Sequence, residues 1–197
     1  MKLLLHICCA PCSIMCIETL RGEGIEPVGF WDNPNIHPFT EFRMRRNTLV
    51  DYAKEIGLSL VVEGGYGLRP FLEAVGGDFD GRCPVCYRLR MRSAARYAAE
   101  NGFTHFTTTL LISPYQNHEL LAQTAREAAE EFGVAFRYRD FRPFFREGKT
   151  SRGYHITIYR YNRDNCCAVS PGSAARARQK ALHFGGGVPP VIVVALH

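Results

Sequence analysis

No run in this 197-residue sequence approaches the ~18 consecutive apolar residues that a membrane-spanning helix needs. The N-terminal stretch Met1-Lys2-Leu3-Leu4-Leu5-His6-Ile7-Cys8 carries one basic residue and a short apolar run. It has neither a full hydrophobic segment nor a cleavage site, so it does not read as an export signal. Internal repeats and low-complexity linkers are also missing, which leaves one compact domain as the expected organisation. Charge is not extreme: a formal +5 permits a nucleic-acid partner without demanding one. A glycine-rich phosphate turn is missing after the first predicted strand. These absences point to a cytoplasmic protein with no membrane contact.

What is present fits a globular chain, with 46% hydrophobic and 22% charged residues. The eight cysteines carry most of the information. They fall in three groups: Cys8, Cys9, Cys12 and Cys16, then Cys83 and Cys86, then Cys166 and Cys167. A secreted disulfide scaffold is usually shorter and more loop-rich, so in a reducing compartment such clusters read as metal or redox sites.

Strand and helix patterns alternate along the chain. Apolar runs predict strands over 3–7, 25–31, 58–62, 104–109 and 134–138. Helices are expected over 13–21, 39–56, 69–75, from about Cys83 to Asn101, and from Ser113 to Phe132. For the last of these, Ser113 and Gln116 read as a capping box with Pro114 at the first helical position. This is the pattern of an α/β fold with a mainly parallel sheet flanked by helices. Such sheets bind ligands beyond the carboxyl ends of their strands, and the first cysteine group follows the first strand directly.

His6-Ile7-Cys8-Cys9-Ala10-Pro11-Cys12-Ser13 is the sharpest motif. In nucleotide-binding relatives of this architecture, glycines at that turn let backbone amides approach phosphate. Thiols in their place point to metal ligation. A buried cysteine can also pack as a small hydrophobe, the reading preferred for Cys16, one helical turn beyond Cys12. Cys83-Pro84-Val85-Cys86 is a C-x-x-C at a helix N-terminus, where the spacing lets two sulfurs converge on one ion or cluster. Of the adjacent pair Cys166-Cys167, one is expected to bind the metal. The total exceeds the four ligands of a tetrahedral zinc and suits a cluster with a second metal nearby, while the soft sulfur set excludes magnesium and calcium. The run from Phe106 to Tyr115 offers hydroxyls and amides to a substrate. The arginines and aromatics of 138–148 suit phosphate contacts and base stacking.

Together these runs resemble the QueH-type epoxyqueuosine reductase family. The resemblance is carried by Leu5–Ser13, Asn33–Pro38, Cys83–Arg90, Phe106–His118, Tyr138–Pro143 and Phe145–Gly148, in order along the chain. It implies an adenine-nucleotide α-hydrolase-like (HUP, Rossmann-like) fold and the last step of queuosine synthesis in tRNA, reduction of an epoxide to an alkene. It also implies a [4Fe-4S] cluster and a second iron ion, held by cysteines and an aspartate, with no cobalamin.

Cys8, Cys9, Cys12, Cys83 and Cys86 match family cysteines, and Asp140 matches the aspartate. Cys9, Cys12 and Asp140 are the expected catalytic residues. Cys8, Cys9, Cys83, Cys86, Cys166 and Cys167 are the expected cluster-binding set, with the partition between cluster and second iron left open. The family's Tyr-Cys-Gly-Cys ending is here Asn165-Cys166-Cys167, so the choice between those two cysteines also stays open. Asp32 stands where a tyrosine is more usual.

The catalytic domain is expected over 1–169, with an atypical tail over 170–197. The expected partners are tRNA carrying epoxyqueuosine and an external electron donor. Arg43, Arg45, Arg46, Arg88, Arg142 and Arg146 are the candidates for contacts to the tRNA backbone. The rival readings are a cluster-dependent tRNA sulfurtransferase-like enzyme, disfavoured by the missing phosphate turn, and a zinc-stabilised binding module.

Overall fold

Leu3–His6, the first strand β1, is buried along its whole length, which requires a neighbour on each edge and a layer on each face. A computed structural model, describing residues 1–78 and 81–147, supplies both. The other strands are β2 (Val28–Trp31), β3 (Leu60–Val62), β4 (His105–Thr108) and β5 (Ala135–Phe136). They form one sheet in the order β3-β2-β1-β4-β5, parallel throughout. His6 lies opposite Phe30 on one side and Thr108 on the other. The helices are α1 (Ala10–Gly22), α2 (Phe39–Glu55), α3 (Leu68–Val75), α4 (Arg82–Glu100) and α5 (His118–Phe132). The sheet and its helical layers are therefore of the α/β, Rossmann-like type.

β2 and β3 extend the sheet to one side of β1, and β4 and β5 to the other. The strand order thus reverses between β1 and β4, and the carboxyl ends of those two strands open into a shared crevice. β1 ends there on the cysteine turn, and β4 ends on the 3-10 turn Thr109–Ile112.

Helix α1 starts sooner than the sequence pattern suggests. Cys9 is its N-cap and Pro11 lies in its first turn, where a missing N–H costs nothing. Cys12 is therefore on the helix, not in the turn. Its inward face, including Ile14, Cys16, Ile17 and Leu20, joins the core with Leu4, Leu5 and Phe106. On the other side of the molecule α4 packs on α5 through alanines, Ala94, Ala95 and Ala98 against Ala125 and Ala128, side chains small enough for close approach.

The start of α5 differs from expectation. Ser113–Asn117 is a turn, and the helix begins at His118 with Asn117 as its cap. The expected Ser113 cap fails because a better one follows: Asn117 Oδ1 accepts the Leu120 N–H at 3.1 Å. Tyr87 on α4 fixes this choice, its hydroxyl donating to Gln116 Oε1 and accepting the Asn117 N–H at 3.2 Å. Gln116, the other half of the expected box, is thereby engaged elsewhere. Cys166, Cys167 and the 170–197 tail lie outside the described residues.

Replacing Asn117 by Ala should cost about 1 kcal/mol of folding stability, the usual loss for a removed N-cap. A urea midpoint unchanged from the parent protein would contradict the assignment of this cap.

Candidate metal centre

Cys8, Cys9 and Cys12 meet where β1 hands over to α1. Their sulfurs all lie within 4.8 Å of one another, and all three residues are buried. The Cys8 and Cys9 sulfurs are 3.8 Å apart. Thr109, arriving from β4 across the crevice, clamps Cys8 twice: its Oγ1 accepts the Cys8 N–H at 3.1 Å and its hydroxyl donates to Cys8 Sγ at 3.4 Å.

Crowding decides how the three thiols ionise. Hydrogen bonds from Cys12 and Cys9, then the charge of Arg90, hold the Cys8 thiol well below its ordinary value despite burial. The cost falls on its neighbours. The Cys12 contact pulls Cys9 down, but the Cys8 contact and burial outweigh it and push the Cys9 thiol up to about 12. The Cys8 and Cys9 contacts, with burial, raise Cys12 as well. The contacts within the trio thus act in opposite directions, down on Cys8 and up on Cys9 and Cys12. Cys9, as N-cap of α1, also lies at the positive end of that helix dipole.

Behind the sulfurs runs a buried polar network. Arg90, one turn beyond Cys86 on α4, donates to Asn33 Oδ1 at 2.7 Å, to His6 Nε2 at 3.4 Å and to Cys86 Sγ at 3.8 Å. Asn33 in turn donates to the Ile7 carbonyl at 3.0 Å. His6 Nε2 lies 3.4 Å from Arg90 Nε and 3.3 Å from the Asp32 carbonyl, and Nδ1 lies 2.9 Å from Thr108 Oγ1. Burial first, and Arg90 second, hold the His6 pKa at about 3, so the ring is neutral.

The structure sorts the remaining expected residues. Cys86 is buried beside Phe71 and Val75 and accepts from Arg90, and Cys83 is half-buried one turn earlier on α4; neither belongs to the three-sulfur group among the described residues. Cys16 is a core residue, fully buried, its thiol donating to the Cys12 carbonyl at 3.3 Å. Cys166 and Cys167 fall outside the described residues. The carboxylate of Asp140 is held by Arg142, with side-chain contacts of 2.9 and 2.7 Å and a backbone contact of 3.0 Å. That pairing lowers its pKa to about 2.

Thr107, Thr108 and Thr109 are fully buried, so they do not present hydroxyls to a substrate. Of the six arginines, Arg43, Arg88, Arg142 and Arg146 are exposed. Arg46 lies over the Phe42 ring. Arg45 is largely buried in an ion pair with Glu41 at 2.6 Å, and its charge is felt at Cys9. Sequence reasoning gave no role to Arg90, Asn33 or His6. The one available signal was the four-residue step from Cys86 to Arg90, which puts both on one helix face.

The donor set suits a soft metal: three sulfurs, no oxygen among them, shielded from water at the end of a strand. Known proteins resemble the chain as a whole. Residues 3–170 match the family model described as epoxyqueuosine reductase QueH. The epoxyqueuosine reductase QueH of Dehalococcoides mccartyi is 35% identical over 169 residues, covering 84% of this chain and 90% of that one. That of Histophilus somni is 35% identical over 136 residues, 66% of this chain and 56% of the relative. That of Haemophilus influenzae is 33% identical over 161 residues, 79% and 64% respectively. The match thus spans most of the first relative, but less than two thirds of the length of the other two.

Exchanging Cys8, Cys9 or Cys12 singly for Ser should cut bound iron several-fold after anaerobic reconstitution, whereas Cys16→Ala should leave it unchanged. Metal analysis of the purified variants decides this, and equal loss in Cys16→Ala would undo the division between ligand and core cysteines. Because Cys9 and Cys12 hold protons that ligation displaces, metal uptake should release protons and tighten as pH rises. Calorimetry in buffers of different ionisation enthalpy measures that release.

Proposed function

The chain belongs to the epoxyqueuosine reductase QueH family, and from that premise we propose that it reduces the epoxide of epoxyqueuosine in tRNA to the alkene of queuosine, at an iron–sulfur cluster with a second iron ion. The observation that carries this reading is the buried Cys8–Cys9–Cys12 group at the point where the strand order reverses. The reaction removes the epoxide oxygen as water and consumes two electrons and two protons, so it needs an external electron donor. The expected setting is the cytoplasm, where the substrate tRNA resides.

Cys8, Cys9, Cys12, Cys83 and Cys86 are the described cysteines assigned to the metal centre, with a further ligand from Cys166 or Cys167. What such a centre supplies when bound is electrons and a Lewis acid for the epoxide oxygen. The protein's own contribution is legible in its side chains. Burial of the sulfurs keeps bulk water from the centre, and Thr109 fixes the Cys8 sulfur from the neighbouring strand.

Asp140 is assigned to the second iron. It is ionised at all physiological pH values, so binding there costs no deprotonation, only release from Arg142. Its depressed pKa means that this ionised state is lost only as pH falls towards about 2. Exposed Arg43, Arg88, Arg142 and Arg146 are assigned to phosphates of the tRNA. Arg45, committed to Glu41, is better placed to tune the sulfur group than to meet RNA.

Anaerobic, iron-loaded protein given a chemical reductant should convert epoxyqueuosine in tRNA to queuosine, scored by mass spectrometry of the digested nucleosides. No product from a fully loaded sample would sink the function. Asp140→Asn should keep the cluster absorption but lose the second iron and most turnover. Affinity for tRNA should fall as salt rises, and removal of one phosphate-binding arginine should lower the slope of log K against log salt by about 1. A slope untouched by Arg43→Ala, Arg88→Ala and Arg146→Ala would reject the arginine assignment.

A further inference from the structure

Arg90 is a buried cation, its residue only 2% exposed, and it binds three separate parts of the chain. Asn33 belongs to the loop after β2, His6 ends β1 two residues before Cys8, and Cys86 lies on α4. Each contact restrains an element that borders the sulfur sites. Placing a full positive charge in this interior is costly unless negative charge accompanies it.

We propose that Arg90 is a positioning residue of the thiolate-ligated centre, donating an N–H···S hydrogen bond to Cys86 and holding a positive charge at this end of the sheet so that the reduction potential of iron bound there is raised. The inference rests on the reading of these cysteines as iron ligands. A cluster ligated by thiolates is anionic and becomes more so on reduction. A hydrogen bond to a ligating sulfur and a nearby cation therefore stabilise the reduced form more than the oxidised one. The low dielectric of a buried site strengthens both effects.

The arrangement also explains the neutral histidine. With Nε2 beside Arg90 and Nδ1 beside Thr108, His6 ties the cation to both β1 and β4 without adding charge. Asn33, bridging Arg90 and the Ile7 carbonyl, fixes the same cation to the turn that carries the first cysteine group.

The test compares iron-loaded parent protein with Arg90→Lys, which keeps the charge and loses the forked donor, and Arg90→Met, which loses both. A redox titration followed by electron paramagnetic resonance should show the Arg90→Met potential lowered by the equivalent of about tenfold in a one-electron equilibrium, ~59 mV. Arg90→Lys should fall between the two. Identical potentials in all three proteins would overturn the proposal. Where a variant fails to fold or load, resonance Raman spectra of the parent protein carry the test: its Fe–S stretching bands should shift in deuterated water, and no shift would overturn the hydrogen bond. Lack of tRNA turnover alongside shifted potentials would reject the enzymatic reading and leave this inference standing. Parent protein that takes up no iron would overturn both.

Discussion

Because β2 and β4 leave β1 in opposite directions, no crossover helix from either side covers the turn after β1. That geometric vacancy is what lets three consecutive features converge: the end of β1, the start of α1 and the 3-10 turn after β4. In a nucleotide-binding protein the space belongs to phosphate, and small residues must line it. Here sulfur fills it, so the turn needs no glycine and Cys9 itself serves as the helix cap. The all-parallel sheet, with its fully buried central strand, is the scaffold that makes the position rigid.

Charge management follows from burial. Three thiols in contact cannot all ionise in a low-dielectric site, and the contacts lower the Cys8 thiol while raising Cys9 and Cys12. The surrounding groups favour that state: Thr109 donates to the same sulfur, and Arg90 and Arg45 bring positive charge towards the site. A soft cation takes over the role of the shared protons with little rearrangement, since the sulfurs are already gathered.

Much of this could be read from the chain before its folding was known. Alternating apolar runs and glycine stops located all five strands and all five helices, and the thiols after the first strand marked the site. What escaped has physical causes. The start of α5 was misplaced because Ser113 and Gln116 match a capping box locally, while Tyr87, distant in sequence, claims Gln116 and leaves Asn117 to cap. Thr107 to Thr109 looked available to a substrate, yet their burial follows from the position of β4 beside β1, a pairing that no local pattern announces. Nothing local to Arg90 marks it out; only the approach of Asn33 and His6 from two other elements makes it a buried hub. Arg45 was grouped with the phosphate-facing arginines because its charge was legible and its Glu41 partner was not weighed.

Asp140 and Arg142 sit two residues apart on one short turn, and the guanidinium meets the carboxylate through Nε and Nη2. A cation or an anion arriving there competes with that pair. An anion that draws off the guanidinium frees a carboxylate for a cation, and a cation that captures the carboxylate frees a guanidinium for an anion. Were both kinds of guest to bind this turn, each would ease the other's arrival by the same amount of free energy.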